Sequence, residues 1–87
     1  MDKLKSYRKE IDSIDKEILS LCVERLKLVE KVWEHKKQNN LKLSDHSRED
    51  AIYTKFQKGL AKFSPPQRAK KFAASLIGLK PKRTSKA

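Results

Sequence analysis

Cysteine is almost absent from this chain: Cys22 is the only one in 87 residues, so no intrachain disulfide can form. It lies beside an apolar stripe and is expected to pack as a small hydrophobe. The two histidines, His35 and His46, are separated and show no metal-ligand spacing, so no metal site is expected from them. Glycine occurs twice and proline three times, and neither appears before Gly59. Long hydrophobic runs are missing as well. Nothing approaches the ~20 apolar residues of a membrane span, and Met1 to Glu10 is too polar for a secretory core. The expectation is a cytoplasmic protein without a membrane partner. Acidic residues are the minority charge, 11 against 22 basic ones, for a formal net charge of +11. That excess suits an anionic partner: nucleic acid, an acidic membrane surface, or a small polycarboxylate or phosphate. A charge-rich helical surface with a basic tail is the simpler account of the number alone.

What fills the uninterrupted stretch from Lys3 to about Asn39 is helical periodicity. Leu4, Tyr7, Ile11, Ile14, Ile18 and Leu21 recur by threes and fours and form one stripe. The next positions on it are Arg25, Leu28 and Val32. An arginine on an apolar seam must be paired or must receive an anion. A helix of ~36 residues rises about 54 Å, whereas a compact domain of this length has a radius of gyration near 12 Å. The rest of the chain is too short to cover such a rod. A second copy can cover it, which predicts a twofold homodimer.

Asn39 and Asn40 supply a stop for this helix. After the connector Leu41 to Ser44, Asp45 reads as the N-cap of a second helix, whose buried face carries Ile52, Phe56 and Leu60. Gly59 weakens its end. In Ser64-Pro65-Pro66-Gln67 the serine reads as N-cap of a third helix with proline at its first position. Ala69, Phe72, Ala73, Leu76 and Ile77 share one side of that helix, and Gly78 and Pro81 end it. The expected fold is all-α, three helices with one very long, intertwined in a homodimer. Residues 1–79 form the domain, and 80–87 form a basic tail expected to be disordered.

Several charges do not behave as plain surface. Arg25 and Lys36 are 11 positions apart, three turns plus roughly 20°, so they leave the first helix in the same direction about 16 Å apart. Arg8 lies about 100° around the helix from Arg25 and does not serve the same pocket. In an antiparallel dimer it reaches the partner's. Asp45, Arg48 and Glu49 sit on the first turn of the second helix, where the connector can fold them back beside Lys36.

These residues carry a resemblance. Arg8-Lys9-Glu10-Ile11-Asp12-Ser13-Ile14-Asp15, Glu24-Arg25, Val32-Trp33-Glu34-His35-Lys36 and Asp45-His46-Ser47-Arg48-Glu49 occur in order. They are similar to the four blocks of AroQ-class, all-helical chorismate mutases, over residues 4 to about 56. The resemblance implies the chorismate mutase type II fold as an intertwined dimer. It implies conversion of chorismate to prephenate by a Claisen rearrangement in aromatic amino acid biosynthesis, without cofactor or metal. It further implies that Arg25, and Arg8 from across the dimer, bind the substrate's carboxylates. Lys36 reaches the ether oxygen and a carboxylate, and Arg48 adds positive potential. Glu49 and the backbone around Asp45 hold the ring hydroxyl. In those terms Lys36, Arg25, Arg8 and Glu49 are the catalytic set, and Asp45 and Arg48 complete the binding set.

The chain departs from the family pattern in three places. The family's third helix is longer and carries a Gln or Glu facing the ether oxygen, whereas here it ends at Gly78 and Pro81. Lys80 or Lys82 stands as a substitute cation. Trp33 replaces a small residue, as interface packing or as a ring that narrows the pocket. His46 replaces a proline after the N-cap. Two alternatives follow: a mutase-fold module that binds a small carboxylate with weakened or no catalysis, and a basic helical protein that binds nucleic acid. Against the second, no groove-reading motif is present, and the aromatics sit at core spacings.

Overall fold

The computed structural model describes residues 2–42 and 45–82. Three helices account for the fold, and the described residues contain no strand: α1 (Lys3–Gln38), α2 (His46–Gly59) and α3 (Pro66–Gly78). Leu43 and Ser44 of the connector and residues 83–87 of the basic tail lie outside the described residues, while Lys80 to Lys82 continue from α3 without helix.

Local chemistry sets the ends of α1. Asp2 is its N-cap, with Oδ1 accepting the Lys5 N–H at 3.2 Å. At the other end Asn40 takes φ 57°, the left-handed conformation that asparagine tolerates. The chain then folds back on the last turn. The Leu41 N–H donates to the Lys36 carbonyl at 2.7 Å, and the Asn40 N–H to Lys37 at 3.3 Å. This pair of bonds is a Schellman cap. It fixes the turn that carries Lys36.

α2 and α3 form an antiparallel hairpin, the one pair of described helices whose backbones approach closely. Asp45 caps α2 as expected, its Oδ1 accepting the Arg48 N–H at 3.0 Å. α3 begins differently from the sequence expectation. Its N-cap is Pro65, not Ser64, and no side chain caps it. The reason is steric: Pro66 forces the residue before it into extended backbone, and Pro65 sits at ψ 151°. The non-helical cap position therefore falls one residue later. Gly78 ends α3 without a left-handed φ, and Leu79 turns to extended backbone at ψ 110°.

Ala69 and Ala73, one turn apart, are buried where α3 meets α2, and Ile52 faces them from the other side. Phe56 and Phe72 meet with ring centroids 5.7 Å apart and tilted by 53°. Gln57 Nε2 donates to the Pro66 carbonyl at 3.1 Å, holding the start of α3. The close approach depends on the alanines. Ala73→Leu is expected to force the pair apart and destabilise the fold by about 1–3 kcal/mol, read as a lower midpoint in urea unfolding.

Ile52, Ala69 and Ala73 are the buried apolar residues among those described, and no described residue of α1 is buried. The stripe lies open: Ile11 and Ile14 are each 54% exposed and Leu21 62%. The protomer measures 59 × 27 × 13 Å with a radius of gyration of 16.8 Å, well above the compact value. Among the described residues no helix is long and apolar enough to cross a membrane.

Candidate functional site

The second half of α1 lies against the α2–α3 hairpin through side chains alone. Leu21 and Cys22 reach Phe56, Phe72 and Leu76 around a small apolar hollow, so Cys22 packs half-buried as a hydrophobe. Arg25 stands at the boundary between this hollow and a larger cavity. Its Nη1 donates to the Leu76 carbonyl at 3.3 Å, in the last turn of α3. That carbonyl also accepts the Leu79 N–H at 3.2 Å and lies at the negative end of the helix dipole, so a guanidinium is a fitting second partner.

The larger cavity has a volume of about 400 Å³, in the range of small-molecule sites. From α1 it receives Arg25, Val29, Val32, Trp33 and Lys36, which share one face at helical spacing. The first turns of α2 add Asp45, Arg48, Glu49 and Ile52, and the end of α3 adds Ile77 and Lys80. The Schellman cap on α1 and the Asp45 cap on α2 fix the two turns that bring Lys36 and the acidic pair Asp45 and Glu49 to the cavity. Its walls carry four cations, Arg25, Lys36, Arg48 and Lys80, against two carboxylates, Asp45 and Glu49. One of those carboxylates is already engaged, since Asp45 accepts the Arg48 N–H. The other, Glu49, is paired at the rim by His46, with Nδ1 3.4 Å from Oε1. A concave, part-apolar site with excess positive charge suits a small anion of more than one charge.

Five of the six site residues expected from sequence meet here: Arg25, Lys36, Asp45, Arg48 and Glu49. Arg8 does not. It lies on a shallow surface hollow with Asp2, Lys5 and Asp12, about 25 Å along α1 from Arg25. Trp33 lines the cavity and is half-buried. Of the two lysines suggested after α3, Lys80 lines the cavity, and Lys82 is not among its walls. Of the apolar walls, Val29 escaped the sequence reading, and Ile77 was read there only as part of the packing side of α3. For Val29 a signal was present, since it stands four residues after Arg25 on the same helix face. Among the described residues no group of three or more His, Cys, Asp or Glu could hold a metal ion.

Comparison with known proteins gives this geometry a family. The chorismate mutase type II family model matches residues 7–79. A bifunctional chorismate mutase/prephenate dehydratase of Aquifex aeolicus is 47% identical over 55 residues, covering 63% of this chain and 15% of that protein. A chorismate mutase of Methanocaldococcus jannaschii is 41% identical over 58 residues, covering 67% of this chain and 59% of that one. The chain therefore spans less than two thirds of the length of these relatives. No solved structure matches it significantly. The family match takes in the second half of α1, all of α2 and α3 and every wall of the cavity up to Leu79, and on that extent the chain belongs to the chorismate mutase type II family.

Proposed function

We propose that this protein is a chorismate mutase that converts chorismate to prephenate, working as a homodimer. The observation that carries the reading is the convergence of Arg25, Lys36, Arg48 and Glu49 on one cavity of a family member. The substrate is a dicarboxylate. In its rearrangement the ether C–O bond breaks as a new C–C bond forms, and negative charge builds on the ether oxygen. No proton, electron or group leaves the molecule. Catalysis then requires holding the folded conformer and stabilising that charge.

Arg25 has five N–H donors and commits one to Leu76, so it can take a carboxylate while remaining tied to α3. Lys36 offers a compact, mobile ammonium, suited to an oxygen whose charge grows during the reaction. Arg48 raises the local potential. Glu49 accepts from the ring hydroxyl, assisted by the backbone around Asp45. The second carboxylate is taken by Arg8 of the second protomer. The open stripe from Leu4 to Leu21 supports that assembly, because six large apolar side chains in register need cover, and their own chain does not provide it.

The test is chorismate consumption by the purified chain, followed by its ultraviolet absorbance. Turnover well above the uncatalysed rate is expected. A folded dimer that is stabilised against heat by prephenate yet converts no chorismate would replace this reading with the non-catalytic binding module.

A further inference from the structure

The charge on the cavity walls points to a residue that the proposed reaction does not yet use. We infer that Lys80 is a substrate-binding residue that strengthens the hold of the site on a dianion. The inference rests on the mutase reading for the identity of that dianion. Three features place Lys80 where it is. Arg25 holds the last turn of α3 through the Leu76 carbonyl. Leu79 then leaves the helix in extended backbone, and Pro81 beyond it is half-buried, so residue 80 is held between two constrained neighbours. Ile77, one turn earlier, forms the same wall.

Lys80 is exposed, which makes a packing role a poor account of its position. Its ammonium shares a wall with Arg25, Lys36 and Arg48. Four cations against two carboxylates leave the cavity a net positive charge that an anion relieves. With Asp45 and Glu49 counted and Arg8 received from the second protomer, the site carries a formal charge of +3, and without Lys80 it carries +2. Either value meets a dicarboxylate, and Lys80 adds the excess that holds it more tightly. Because the ammonium is screened by water, its effect falls on binding rather than on the chemical step.

The experiment compares the full chain with Lys80→Gln, Lys80→Arg and Lys82→Gln, the last removing a lysine outside the cavity. Chorismate turnover gives KM and kcat, and calorimetric titration with prephenate gives affinity for a dianion independently of turnover. Lys80→Gln is expected to raise KM and the prephenate Kd about fivefold with kcat within about twofold, while Lys80→Arg and Lys82→Gln stay near the parent. The ligand-free melting temperature of Lys80→Gln should equal or exceed the parent's, whereas loss of a packing residue would lower it. Equal changes in Lys80→Gln and Lys82→Gln, or none in either, would overturn the inference and leave the mutase reading intact. A parent that binds prephenate without converting chorismate would end the mutase reading, and the prephenate titration would still decide the role of Lys80.

Discussion

Lys36→Ala is expected to lower chorismate turnover by about 10³-fold while leaving the assembly and its melting temperature close to the parent's. The size follows from what the side chain does. Removing a single donor aimed at charge that develops in a transition state typically costs 10²- to 10³-fold, and an ammonium sits at the upper end. The loss should fall mainly on kcat, because the ether oxygen carries little charge in the bound substrate and more as the bond breaks. Stability should change little, since the cap of α1 is made by the Lys36 backbone, which accepts the Leu41 N–H and is kept in the variant, and alanine is a good helix former. Steady-state kinetics and a thermal melt of the same samples check both halves. Unchanged kcat with a raised KM would make Lys36 a carboxylate ligand only and move the transition-state role to another wall of the cavity.

How far that residue could be assigned from sequence depends on which interactions fix it. Lys36 and Arg25 are related by helix geometry alone, so their common direction was legible from an 11-residue spacing. The ends of α1 and α2 were legible too, because Asp2, Asp45 and Asn40 act on their own neighbours. The start of α3 was misread by one residue for an equally local reason. Two adjacent prolines compete for the first position, and the second dictates the backbone of the first. What could not be read was anything that depends on where α3 ends in space. The bond from Arg25 to Leu76 joins residues 51 positions apart. The choice between Lys80 and Lys82 follows from the direction the chain takes after Leu79, which composition does not encode. Gly78 and Pro81 were expected to end α3, and the helix does stop at Gly78, without a positive φ. Pro81 then constrains the chain just beyond it.

Mixing two inactive variants is expected to restore activity if the site spans two protomers. Arg8→Ala alone should lose most turnover, because the proposed dimer supplies Arg8 to the partner's cavity and the protomer's own Arg8 is too distant to help. Lys36→Ala should lose it within its own cavity. In a mixed dimer both lesions fall on one site: the cavity that lacks Lys36 also receives the altered position 8. The other cavity has its own Lys36 and an intact Arg8 from across the interface. Random exchange between equal amounts makes half the dimers mixed, each with one working site, so recovery should approach about a quarter of parent activity. Denaturing the two variants together and refolding them supplies the exchange, and separate refolding followed by mixing is the control. Two sites built within single protomers would show no recovery, whatever the oligomeric state. Ile14→Asp extends the argument to the stripe itself. A carboxylate there would be buried without a partner, twice per dimer by symmetry. That variant should sediment as a monomer and lose turnover together with the assembly, although Ile14 lies far along α1 from every residue of the cavity.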